Sequence, residues 1–336
     1  MKNKMNKIVV FLFVLISCLT VSAQENQKLA QTGFQFLSVV SDARGAAMAE
    51  ALTSMQVGSS AMFFNPAGMA ELGSTVDFTG STNKWIAEIT HSTLSAAYKP
   101  GTGSYGVIGF SVQYVDYGEF YGTRVNKADP KGYEDTGIFK LNAMAVGLGY
   151  AKQLTDRFSI GAQVRYVRQS LGESQIAVIT KSDTTNGTSD NRLTPLVFDF
   201  GTQFKTGIKS LVFGMSIRNF SGEVKYAEEG FQAPLTFTLG ISMNVMDFFD
   251  KLPFDQALYV SIDASHYRDK PEQIKVGLDY KLMEMLSLRG GYVSNNGESD
   301  FSFGLGVTKY GFAFDYAYTP FGIFNNVQRF TARFAL

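Results

Sequence analysis

A basic excess is missing from this chain: 30 Lys and Arg balance 30 Asp and Glu over 336 residues. Nucleic-acid binding needs a basic surplus gathered on one face, so no nucleic-acid partner is expected. Long apolar runs are missing too, apart from one at the N-terminal end, whereas a helical membrane protein needs several of about 20 residues. Cysteine occurs once, at Cys18, and histidine only at His91 and His266. So few soft ligands exclude a credible transition-metal site, and no cofactor is expected. His91 precedes Ser92, but neighbours on a strand point to opposite faces and cannot act as base and nucleophile. Both histidines read as surface or rim residues, and no enzymatic activity is expected. Gly147-Leu148-Gly149 and Gly304-Leu305-Gly306 fall within strand patterns and do not open helices, which excludes nucleotide-binding loops.

What the chain has instead is 33 Gly, 29 Phe and 16 Tyr at an ordinary 45% hydrophobic content. A membrane β-barrel produces that combination, because only alternate residues face lipid. The N-terminus reads as an export signal. Lys2, Lys4 and Lys7 precede an apolar stretch from Ile8 to Leu19, and Val21-Ser22-Ala23 places small residues before a cleavage point after Ala23. Leu15-Ile16-Ser17-Cys18 resembles a lipobox, which leaves lipoprotein processing at Cys18 as the alternative. Cleavage after Ala23 discards the one thiol and with it any disulfide chemistry.

From about residue 74 onward the residues alternate. Phe198, Phe200, Thr202 and Phe204 interleave with Asp199, Gly201, Gln203 and Lys205; Leu258, Val260, Ile262 and Ala264 interleave with Tyr259, Ser261, Asp263 and Ser265. Period two sustained at this length means sheet with one apolar face. Strands are expected at 74–84, 88–99, 104–116, 138–151, 157–170, 193–205, 210–220, 234–246, 257–266, 273–282, 285–294, 299–308, 311–320 and 326–336. Most have about the 9–11 residues a tilted strand needs to cross a bilayer. Tight connections such as Pro100-Gly101-Thr102-Gly103 follow even-numbered strands. Long polar ones, Tyr117–Gly137, Leu171–Arg192 and Ser221–Ala233, follow odd-numbered strands. Sorting by parity is an outer-membrane trait with the short turns periplasmic, and a soluble sandwich has no reason to show it. Two features fit less well: Met246–Gln256 is long for the short side, and Gln175–Thr180 is strand-like inside a presumed loop. The last strand alternates Phe330, Ala332, Phe334 and Leu336 with Arg329, Thr331 and Arg333, resembling the terminal signal read by barrel-assembly machinery. The expected fold is therefore all-β, a closed antiparallel barrel of about fourteen strands over 74–336, with a signal over 1–23.

Residues 24–73 break the alternation. Ala43–Leu52 favours helix, with Ser41 or Asp42 placed to cap it. Ser59–Leu72 is rich in small residues and Met, poor in charge, and punctuated by Pro66 and Gly68. An exposed linker would be polar, whereas a lumen of about fourteen strands is wider than its own side chains fill. The segment is expected to be a plug or hatch packed inside, with a short periplasmic subdomain as the alternative.

Here the residues carry a resemblance. Phe36-Leu37, Ala43-Arg44 with Met48 following, and Asn65-Pro66-Ala67-Gly68 after Phe64 resemble the N-terminal signature of the PorV/PorQ family, related to the FadL long-chain fatty-acid transporters, which share an Asn-Pro-Ala hatch segment. One departure stands out: relatives usually carry glycines just after the methionine, where this chain has Ala49 and Glu50. The resemblance implies fourteen strands, an outer-membrane location and an N-terminal hatch. It also implies a role in type IX secretion, with translocon or attachment-complex proteins and secreted cargo as partners besides outer-membrane lipid.

Parity places Asp77, Asp199, Asp263, Asp279 and Asp315 in the lumen beside Arg165, Lys205, Arg218, Lys275, Arg289, Arg329 and Arg333. A selective pore favours rings of one sign, so the mixed set points to side chains that brace the wall or hold the plug. The first functional expectation is a non-catalytic interaction protein whose long loops bind secreted or translocon proteins. Tyr117, Phe120, Tyr121 and Tyr133 are the candidate contacts, and an interfacial aromatic girdle is the competing reading. The alternative is a FadL-like transporter of hydrophobic small molecules through a pocket lined by Phe63, Phe64 and Met69, residues that plug packing explains equally.

Overall fold

A computed structural model describes residues 32–101, 103–179, 184–226, 229–249, 254–297, 299–322 and 326–336. The expected export signal, its expected cleavage point after Ala23, and Cys18 lie outside the described residues. Among the described residues seventeen strands form: β1 (Val76–Lys84), β2 (Thr90–Tyr98), β3 (Val107–Val125), β4 (Tyr133–Thr155), β5 (Phe158–Ile179), β6 (Thr184–Leu193), β7 (Leu196–Lys205), β8 (Val212–Ser221), β9 (Val224–Lys225), β10 (Gly230–Phe231), β11 (Thr236–Asn244), β12 (Gln256–Tyr267), β13 (Gln273–Leu282), β14 (Leu286–Val293), β15 (Phe301–Lys309), β16 (Phe312–Thr319) and β17 (Val327–Ala335).

Fourteen of them close a barrel in the order β1-β2-β3-β4-β5-β7-β8-β11-β12-β13-β14-β15-β16-β17, every neighbour antiparallel. The ring shuts where Asp77 faces Ala335 and Lys84 faces Gln328 across β1 and β17. Alternation decides the facing. In β15, Phe301, Phe303, Leu305 and Val307 are exposed while Ser302, Gly304 and Gly306 are buried. Phe198, Phe200 and Phe204 likewise point out, and Asp199 and Gln203 point in. An outward Leu or Phe costs nothing in lipid, whereas an outward Arg or Lys near the midplane costs ~2–4 kcal/mol, so one register satisfies every strand at once.

The expected loop Tyr117–Gly137 is not a loop. β3 and β4 stay paired well past the barrel rim, from Asp116 opposite Asn142 up to Val125 opposite Tyr133. The ladder slips between Asp116 and Glu119 and again after Gly122, and Gly118 and Gly137 both adopt positive φ. Each bulge inverts the side-chain alternation, which hides the strand from a period-two reading. The described parts of Leu171–Arg192 are likewise a ribbon: the upper part of β5 pairs with β6 after a slip between Ser170 and Glu173, with Gly172 at positive φ. β9 and β10 make a short hairpin inside Ser221–Ala233.

The helix expected over Ala43–Leu52 is shorter than its composition favours. Asp42 caps it by accepting from the Gly45 N–H, and it covers only Ala43–Ala47. Ala49 and Glu50 then take left-handed φ of 50° and 65° and turn the chain away. His91 also differs from expectation: it is buried inside the long-loop rim, 6.2 Å from the Trp85 ring. His266 is exposed and 3.1 Å from the Glu272 carboxylate.

Candidate functional site

Residues 32–72 run through the lumen from one end to the other. Thr32 bridges Gln232 on the long-loop side, and Lys99 near the short turns donates to the Leu72 carbonyl. Two apolar clusters hold the segment. Phe34, Phe36 and Leu37 pack with Val115, Ala143, Val167 and Val197 under the ribbons. Lower down, Met48, Leu52, Met62, Phe64 and Met69 join Ala97, Val107, Ala151 and Ala317.

The closest approaches follow from four glycine pairs facing each other across neighbouring strands: Gly109 with Gly149, Gly161 with Gly201, Gly214 with Gly240, and Gly277 with Gly291. All eight face inward, and each is occupied where a side chain would otherwise stand. A β-carbon at Gly201 would fall inside the Asn65 amide, and one at Gly161 would meet the Pro66–Ala67 peptide. Met62 and Met69 fill the first pair, Thr53 sits on the third, and Met48 and Ala49 cover the fourth. At the last three pairs the hatch backbone thus lies directly on the wall backbone, a distance only glycine permits.

Asn65 locks the Asn-Pro-Ala-Gly turn. Its Oδ1 accepts from Ala67 N at 3.1 Å, while its Nδ2 donates to Thr53 O at 2.7 Å and to Thr202 O at 3.0 Å. Pro66 opens the 3-10 turn Pro66–Met69, a first-turn position that has no N–H to lose. Ala43 donates its N–H to Thr331 Oγ1 at 2.8 Å, and Arg44 reaches Asp279 at 3.1 Å. Wall side chains satisfy hatch carbonyls elsewhere: Gln113 at Phe36, Gln163 at Met62, Gln203 at Thr53 and Met55, Arg218 at Phe63, and Arg329 at Val40. Asp77 and Asp263 accept the N–H groups of Ser59 and Thr53.

Many of the luminal charges are paired with one another. Arg289 bonds Asp279 at 3.1 Å and Asp315 at 2.6 Å, Arg165 bonds Asp199 at 2.7 Å, and Arg333 Nε bonds Asp77 at 2.7 Å. Lys275 reaches Glu50 of the hatch at 2.6 Å, and Lys205 pairs with Glu71. Burial pushes the Glu50 carboxyl up, but Lys275 and Arg218 outweigh it and hold the group below the usual carboxylate range. The site therefore braces the hatch. Two cavities flank it: one of about 360 Å³ toward the short turns, bordered by Asp42, Arg44, Lys281, Arg289 and Arg333, and one of about 140 Å³ on the other side, bordered by Glu50, Lys270 and Lys275.

Phe64 and Met69 are fully buried in the hatch cluster, and Phe63 packs against it partly buried. Of the ribbon aromatics, Tyr117 turns inward onto the upper cluster, and Phe120 stacks on Phe139 with centroids 5.8 Å apart. Tyr121 is 77% exposed and Tyr133 43%. The glycine seats are what sequence reasoning missed. Their signal was present, as glycines at the inward parity of strand after strand.

A family model described as type IX secretion system protein PorV matches residues 22–258. No curated protein matches the sequence. Among solved structures, the Ralstonia pickettii toluene transporter TbuX aligns with a TM-score of 0.59 at 13% identity, covering 88% of this chain and 98% of that one. The Pseudomonas putida toluene transporter TodX gives 0.57 at 13%, covering 92% and 98%. A Pseudomonas aeruginosa FadL homologue gives 0.51 at 12%, covering 88% and 98%. At such identities the likeness establishes the shared barrel fold alone.

Proposed function

The chain belongs to the PorV family of type IX secretion system proteins, and from that membership we propose that it is a non-catalytic outer-membrane barrel that binds secreted or translocon proteins at its long-loop end. The observation that carries this reading is the contrast between lumen and rim. The lumen is filled by a hatch whose backbone rests on three glycine pairs, whose methionines fill a fourth, and whose Glu50 and Arg44 are neutralised by wall charges. The ribbons leave Tyr121, Ile138 and Tyr133 in solvent, residue types that anchor protein interfaces.

Carriage of hydrophobic small molecules, the activity named for the toluene transporters of like fold, has less support. The cavities beside the hatch have charged borders, and Phe64 and Met69 are packed among hatch side chains. Purification from the native outer membrane in mild detergent tests the proposal. Co-purification of translocon or secreted proteins, lost in a Tyr121→Ala/Tyr133→Ala double variant that still folds, supports it. Recovery of the barrel alone with bound hydrophobic small molecules contradicts it.

A further inference from the structure

The pairing between β4 and β5 stops at Asn142 opposite Ser170. Both strands continue beyond that point, β4 out to Tyr133 and β5 out to Ile179, but each then pairs only on its far side, β4 with β3 and β5 with β6. The two ribbons therefore part above the rim, and two strand edges of the same sheet face each other across a gap with no strand between them among the described residues. An uncovered edge is a row of free N–H and C=O groups, and proteins that keep one ordinarily blunt it with proline, lysine or a covering element. Here residues 133–141 carry no proline and one lysine, Lys140, which is occupied by Glu119 at 2.9 Å. Residues 171–179, Leu-Gly-Glu-Ser-Gln-Ile-Ala-Val-Ile, carry neither proline nor lysine.

We infer that this gap is a strand-acceptor slot, in which an extended segment of a secreted protein pairs with the free edge of β4 and continues the barrel's own ladder upward. The inference rests on the proposed function and adds the mode of recognition. In strand addition the backbone supplies affinity and the flanking side chains supply selectivity. The base of the slot is apolar, with Phe139 and Leu141 both about 3.5 Å from where a side chain on Gly172 would begin, and with Leu171 exposed beside them. Toward the tip, Glu134 is held by Arg124, whereas Asp135 is exposed. The segment that fits is extended, apolar where it meets Phe139 and Leu141, and cationic where it passes Asp135.

Strand addition leaves a period-two signature. Alternate amides of β4 already bond β3 and exchange slowly; the others point into the slot. Residue-resolved hydrogen exchange of the full-length barrel in detergent, with and without a purified type IX-secreted protein as probe, reads this directly. The expected result is at least tenfold slower exchange at alternate residues within 137–141, where β4 runs without a bulge, when the probe binds. Binding with those amides unchanged, or with protection that ignores the alternation, overturns the slot and leaves the proposed function standing. Absence of any binding of the probe overturns both.

Discussion

The hatch-bearing belt of the wall and the ribbons above it are made from the same strands, yet they treat their backbones in opposite ways. In the belt, inward glycines bring wall and hatch backbones together, and buried Asp, Gln and Arg side chains satisfy the hatch groups they meet. In the ribbons, glycines at Gly118, Gly137 and Gly172 take positive φ, bend the strands away from one another and leave edges open. The same residue closes one region and opens the other. What differs is whether something occupies the space its missing side chain leaves. The belt has given up freedom for closure, and the ribbons have kept it.

The comparison breaks most visibly if a buried charge is removed from the belt. Asp279 faces both Arg44 of the hatch and Arg289 of the wall. Asp279→Ala strands the Arg44 guanidinium and leaves Arg289 with Asp315 as its one carboxylate, and is expected to lower unfolding free energy by ~3–5 kcal/mol, read by urea titration in micelles. A smaller loss would mean that water reaches the pair. Next comes a matched pair of glycine changes. Gly201→Val drives a side chain into Asn65 and is expected to cost ~3 kcal/mol through overpacking. Gly80→Val points to lipid, where a β-carbon meets nothing nearer than Leu94 at 3.9 Å, and should stay within ~0.5 kcal/mol. Equal effects would mean that the hatch does not rest where the structure places it.

Asn65→Ala removes the Ala67 cap and leaves the Thr53 carbonyl one donor short, an expected ~1–3 kcal/mol. The smallest effect belongs to Ala49, whose φ of 50° costs a non-glycine residue ~1 kcal/mol. Ala49→Gly should be neutral or raise the melting temperature slightly. A drop would show that the β-carbon contributes packing that outweighs its strain.

Much of this plan was legible in the sequence. Strand number, facing and closure follow from alternation such as Phe301–Val307, because a bilayer on one side and a wet lumen on the other leave each strand one acceptable register. The mixed Asp and Arg parity pointed to bracing, and Asn65-Pro66-Ala67-Gly68 marked the segment that docks. The β3–β4 ribbon stayed hidden because a bulge at Gly118 inverts the very alternation used to find strands, and of the β5–β6 ribbon only Gln175–Thr180 read as strand-like, beyond the bulge at Gly172. The short helix was over-extended because Ala43–Leu52 has helical composition, while the turn at Ala49 and Glu50 is imposed by contact with Gly277 and Gly291, a tertiary constraint with no local trace. The pairing of glycines across strands becomes visible only once register is known.

Electrical recording of the purified barrel in planar lipid bilayers tests most directly whether the hatch shuts the lumen and leaves recognition to the ribbons. Wild-type protein is expected to be silent both alone and with a bound secreted protein, while deletion of residues 34–72 yields conducting steps. Stable conductance with the hatch intact, or steps that appear when a partner binds, would contradict the account.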